Sequence, residues 1–152
     1  MSTNNRPKHV FVSYIRTTPE QLWNAITKSE FTRRYFHATS IESDWKVGSP
    51  MRYTMGEARE VASEGKILES DRPRRLSMTW LFKYDPELAK EKPSRVTWEI
   101  EPNGEVCKLT VIHDDFDGET RTYKAVGAGW PAILSSLKTL LETGEPLPVA
   151  RD

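Results

Sequence analysis

The chain predicts an α+β fold in which a curved antiparallel sheet of about six or seven strands closes around a long C-terminal helix. Three observations carry this. Trp130, Ile133, Leu134, Leu137, Leu140 and Leu141 recur at helical spacing, which draws one apolar stripe along a helix from about Gly127 to Gly144. Three consecutive segments ahead of it alternate strictly. Leu76, Met78, Trp80 and Phe82 interleave with Ser77 and Thr79; Val96, Trp98 and Ile100 with Thr97 and Glu99; Cys107, Leu109, Val111 and His113 with Lys108 and Thr110. Such alternation marks antiparallel strands with one apolar and one solvated face. Two short helices follow the first strand, and nothing in the pattern repeats or divides the chain.

His9 to Thr17 reads as the first strand, rich in Val, Phe, Tyr and Ile. Its inward parity stays open, because Val10, Val12 and Tyr14 compete with Phe11, Ser13 and Ile15. A helix then starts at Thr18-Pro19-Glu20-Gln21: Thr18 is the N-cap, Pro19 takes the first helical position, and Gln21 completes a capping box. Leu22, Trp23 and Ile26 supply its buried face. Ser29 opens a second helix running to about Phe36. Ile41 to Ser43 is a short strand, Val47 to Pro50 a turn, and Met51, Tyr53 and Met55 alternate with Arg52 and Thr54. Gly65 to Glu69 is another strand, and the charged stretch holding Glu57, Glu60 and Glu64 reads as a solvated hairpin. Asp85 to Pro93 reads as an extended surface loop. Gly127 and Gly129 are expected to let the backbone bend where Pro131 breaks the helix. Gly144 supplies its left-handed stop. Residues 1–8 are expected to be a disordered tail, 9–146 one domain, and 147–152 a flexible tail.

At 152 residues the chain is long enough to bury a core as a single domain. Its 22 basic residues balance 22 acidic ones, which argues against nucleic acid and anionic membrane surfaces as partners. Cys107 is the one cysteine, so no disulfide closes within the chain. No stretch approaches a membrane span and Met1 to Lys8 lacks an apolar signal region, which makes the cytoplasm the expected location. The three histidines, His9, His37 and His113, show no metal-binding spacing. Neither a nucleophile elbow nor a phosphate-cradling glycine loop is present. No metal and no cofactor is expected.

Several segments together resemble a known family: TPEQLWNAIT over 18–27, SDWKVGS over 43–49, PRRL over 73–76, SRVTWEI over 94–100, and GWPAILSSLKTLLETG over 129–144. They are similar to the START-like (SRPBCC) superfamily, within the branch named after the activator of heat shock protein 90 ATPase. The resemblance spans about His9 to Gly144. It implies a helix-grip fold with a cavity between sheet and terminal helix. The superfamily includes carriers, cyclases and oxygenase domains, so the resemblance does not choose a reaction. Co-chaperone activity rests on fold-level analogy.

On this reading the ligand-pocket set is Tyr53, Met55, Met78, Trp80, Trp98, Val111, His113, Trp130, Leu134 and Leu137. Pockets are mostly apolar with few polar groups, and these large residues sit on the inward parity of a concave sheet. Taken one by one each is better explained as core; only as a set do they point equally to a cavity. His113 is the candidate for chemistry, because an imidazole in an apolar pocket can act as a general base. The plainer account is a pocket histidine bonded to Tyr53, a hydroxyl or a water. Three functions follow: a binding module for a small apolar or amphipathic molecule, with the terminal helix as a lid hinged before Trp130; a cyclase- or hydrolase-like enzyme using His113; and a protein-interaction, co-chaperone-like module using an outer surface.

Overall fold

The computed structural model describes residues 6–148. Of the tails expected at 1–8 and 147–152, residues 1–5 and 149–152 lie outside the described residues. Seven strands, β1 (His9–Ile15), β2 (Ser40–Glu42), β3 (Pro50–Met55), β4 (Glu60–Asp71), β5 (Arg75–Phe82), β6 (Ser94–Asn103) and β7 (Val106–Asp114), form one antiparallel sheet. Its order is β1-β7-β6-β5-β4-β3-β2, so β1 and β2 are the open edges. Helices α1 (Pro19–Thr27) and α2 (Ser29–Tyr35) follow β1, and α3 (Arg121–Thr143) ends the fold. The α+β helix-grip architecture is the one observed.

Local chemistry explains each element. The Thr18 hydroxyl accepts from the Gln21 amide at 3.2 Å, with Pro19 beginning α1. The Gln21 side chain bonds back to the Thr17 hydroxyl instead of completing the box. Leu22, Trp23, Ala25 and Ile26 are buried. Strand β1 resolves its parity: Phe11, Ser13 and Ile15 face inward, while Val10, Val12 and Tyr14 are half-exposed on the outer face. Strand β4 is longer than its apolar stretch, because the charged residues read as a hairpin pair across strands, Glu64 opposite Arg52. At Gly65 the backbones of β4 and β5 approach closely. A Cβ there would lie 1.7 Å from the Thr79 carbonyl oxygen, so no side chain fits. Between β5 and β6, Leu88–Lys90 forms a single 3-10 turn that buries Leu88.

Two expectations are corrected. Met55 does not face the interior: the register shifts between Tyr53 and Thr54, the alternation inverts, and Met55 is 37% exposed while Thr54 is buried. The terminal helix neither starts at Gly127 nor breaks at Pro131. It starts at Arg121, where the Thr120 hydroxyl accepts from the Tyr123 amide at 3.1 Å, and runs unbroken for 23 residues to Gly144. Pro131 sits on the exposed side, where its missing amide costs α3 one bond without ending it. Gly127 answers to packing: a Cβ there would come 2.6 Å from the His9 ring.

Candidate functional site

The concave face of the sheet and the inner face of α3 meet in an aromatic layer. Phe36 stacks on Tyr53 at 4.5 Å and stands edge-on to Trp130 at 5.8 Å; Trp80 approaches Tyr53 at 5.2 Å, and Trp98 meets Trp130 edge-on at 5.4 Å. Strand alternation and the α3 stripe bring these side chains together. Edge-to-face and stacked ring pairs at such distances are favourable beyond the area they bury.

His113 lies fully buried within this layer. The Trp130 indole Nε1–H donates to His113 Nδ1 at 3.0 Å, and His113 Nε2 meets the Ser94 hydroxyl at 2.7 Å. An indole is only a donor, so Nδ1 must accept and the ring proton sits on Nε2. His113 Nε2–H therefore donates to Ser94 Oγ, and the Ser94 hydroxyl donates to the Trp80 carbonyl at 3.3 Å. A protonated ring would set two donors against each other at Nδ1. Burial, with a smaller contribution from His9, pushes the His113 pKa down to about 3. Its lone pair is engaged, and its partner is Ser94 rather than Tyr53. The geometry makes His113 a brace between β7, β6 and α3, and leaves no free base there.

Where α2 ends, the packing opens. Phe36 and His37, Trp80 and Phe82 of β5, and Ala125, Val126, Gly129, Trp130 and Ile133 of α3 enclose a half-open cleft of about 70 Å³. That is small beside the roughly 300–1,000 Å³ of ligand pockets generally. Its walls are ring faces and short side chains. The Trp80 indole Nε1–H is buried and has no acceptor among the described residues. Trp98 Nε1 is likewise unpartnered, but Trp98 belongs to the closed layer and does not border the cleft. Among the described residues no cluster of His, Cys, Asp and Glu has metal-binding geometry, and no helix is long and apolar enough to cross a membrane.

A family model described as Activator of Hsp90 ATPase homolog 1-like protein matches residues 16–142. The chain belongs to this Hsp90-activator-homolog family. Solved structures agree on the fold. Protein MLL2253 from Mesorhizobium loti superposes with a TM-score of 0.74 at 23% identity, over 89% of this chain and 96% of that one. CalU16 from Micromonospora echinospora gives 0.71 at 21%, over 93% and 77%. PFC0360w, an HSP90 activator from Plasmodium falciparum, gives 0.70 at 21%, over 88% and 95%. The curated proteins yield no sequence match.

Within this family fold the anticipated set divides. Trp80 and Trp130 line the cleft. Tyr53, Met78, Trp98, Val111, His113, Leu134 and Leu137 are buried without bordering it, and Met55 faces outward. Phe36, His37, Phe82, Gly129 and Ile133 were not anticipated. Ile133 lay on the apolar stripe and Phe82 on the β5 parity. Phe36 and His37 carried no periodic signal, since they leave α2 through a φ of 51° at His37.

Proposed function

We propose that the protein binds a small, mostly apolar molecule in the cleft between the end of α2, strand β5 and the N-terminal half of α3. The fold is one used by ligand-binding and polyketide cyclase-like modules. The observation that carries the reading is the opening itself, lined by the rings of Phe36, Trp80, Phe82 and Trp130. Trp80 and Trp130 form the walls of the site. Tyr53, Met78, Trp98, Val111, His113, Leu134 and Leu137 act beneath them as a rigid floor. An enzyme using His113 as base finds no support, because both ring nitrogens are engaged.

The test uses Gly129. A Cβ there meets only His37 Nε2, at 4.0 Å, so a side chain grown from this position enters the cleft side of α3. A thermal-shift screen against fatty acids, flavonoids, polyketides and sterols comes first. A ligand at about a hundred times its Kd adds roughly 2.7 kcal/mol of stability. Gly129→Leu is expected to hold or raise the unliganded melting temperature, since leucine favours the helix over glycine, and to lose the ligand-induced shift. A shift that survives Gly129→Leu places the ligand elsewhere. A wholly silent screen moves the weight to a protein partner, the role stated for the Plasmodium falciparum neighbour.

A further inference from the structure

Resting on the cleft as the binding site, we infer that it widens when the first turns of α3, Arg121 to Val126, swing away from the sheet, and that the β5–β6 connection is the strap holding them in place. Size motivates a movement. The cleft measures about 70 Å³, against roughly 300–1,000 Å³ for ligand pockets generally. A molecule of ordinary ligand size enters only if a wall moves. Ala125 and Val126 line the cleft from those first turns, so displacing them enlarges it directly. The helix is weakest where this segment joins the rest. Pro131 has no amide, so the Gly127 carbonyl lacks the helical bond it would otherwise accept. Gly127 and Gly129 add the low helix propensity of glycine at the same place.

Beyond this weak point Ile133, Leu134, Leu137 and Leu140 are buried, whereas before it the buried residues of α3 are Thr122 and Val126. Polar contacts hold the first turns instead. Glu91 Oε1 accepts from the Thr122 amide at 3.3 Å, which pairs a donor the helix cannot satisfy itself and sets a carboxylate at its positive end. The Asp85 carboxylate lies 3.6 Å from the Arg121 guanidinium. Both acids stand on the β5–β6 connection, which is itself fixed. Asp85 also accepts from the Glu87 amide at 2.8 Å, Leu88 is buried, and Lys92 bonds Asp115 at 2.9 Å. An anchored strap therefore grips the loosely packed end of a helix. Its grip is light, because an ion pair with so exposed a partner as Arg121 is screened by water. With the strap released, the bond from His9 to the Tyr123 carbonyl is the remaining polar hold described above.

The experiment measures amide hydrogen exchange, residue by residue, in the unliganded parent chain, in the double variant Glu91→Ala with Arg121→Ala, and in Pro131→Ala. The double variant should speed exchange from Lys124 through Ala128 as one block, by at least about tenfold. The amides of Leu134 to Leu140, and the Trp130 indole N–H bonded to His113, should keep their parent rates, which also shows that the fold is intact. Pro131→Ala returns the missing helical bond and should slow the same block. Acceleration confined to Thr122, Tyr123 and Lys124 would be the loss of a helix cap alone and overturns the swing. Unchanged rates throughout the double variant overturn the strap. Equal acceleration along the whole of α3, or a Pro131→Ala chain that exchanges no more slowly, overturns the weak point between 127 and 131. None of these readings uses a ligand, so they stand apart from the ligand screen and Gly129→Leu, whose failure removes the cleft as the binding site instead.

Discussion

The two halves of α3 pack on the same sheet by different means. From Leu134 onward the helix lays Leu134, Leu137 and Leu140 onto a closed interior, and its exposed edge grips β1: Lys138 Nζ bonds the Tyr14 carbonyl, and Glu142 accepts from the Arg16 amide at 2.8 Å. From Arg121 to Trp130 the helix carries two glycines, leans on ring stacking and hydrogen bonds, and borders the cleft. His9 holds this half by donating to the Tyr123 carbonyl at 2.8 Å and stacking on the Tyr123 ring at 4.3 Å. The difference teaches where binding belongs. Aliphatic stripes fill space completely, while ring layers locked by directional bonds leave gaps at their margins.

The comparison breaks first, and hardest, under acid. The folded His113 pKa of about 3 lies below the ordinary 6.5, so the fold favours the neutral ring. Its contribution is fully present above about pH 6.5 and is lost as pH falls toward 3, at about 1.4 kcal/mol per pH unit. Urea titrations at pH 7, 5 and 4 should show that slope, and His113→Phe should flatten it. An unchanged slope in His113→Phe would place the acid sensitivity elsewhere.

Next in size is Leu137→Ala in the closed half, where the side chain is fully buried. It should cost about 2–5 kcal/mol by chemical denaturation. A loss well under 1 kcal/mol would mean that this half is not closed.

The finest comparison sets two glycines of one helix against each other. Gly127→Ala drives a Cβ against His9, 2.6 Å away, and should displace the ring from its bond to Tyr123. We expect a net loss of about 1 kcal/mol, even after the helix-propensity gain. Gly129→Ala points into open space and should gain up to about 1 kcal/mol. Equal responses would erase the distinction between a packed and an open face.

Much of this fold was legible because its periodicities are clean. The β5, β6 and β7 alternations and the α3 stripe each survived as read, and they place the aromatic layer. Met55 was misplaced because a β-bulge adds a residue without leaving a mark in the side-chain pattern. The start of α3 was misjudged although Thr120 was a usable cap and Tyr123, Val126 and Trp130 kept helical spacing; Pro131 drew the reading toward a break. In the site, parity identifies residues facing inward but not which of them meet empty space. His113 and Trp98 share the inward parity of Trp80, yet only Trp80 stands where α2 ends short of α3. The turn through His37 and Ala38 that sets this margin has no periodic signature at all.

The grip of Lys138 and Glu142 on β1 also bears on how copies of the chain meet in concentrated solution. β1 is an open edge whose outer face shows Val10, Val12 and Tyr14, a surface able to template strand addition from another molecule. The Lys138 ammonium and the Glu142 carboxylate occupy a carbonyl and an amide beside that edge, and they bond each other at 2.8 Å. Fraying of the last helical turns would therefore do more than loosen the core. It would also free the Tyr14 carbonyl and the Arg16 amide beside an open strand edge, the kind of backbone to which another strand can pair.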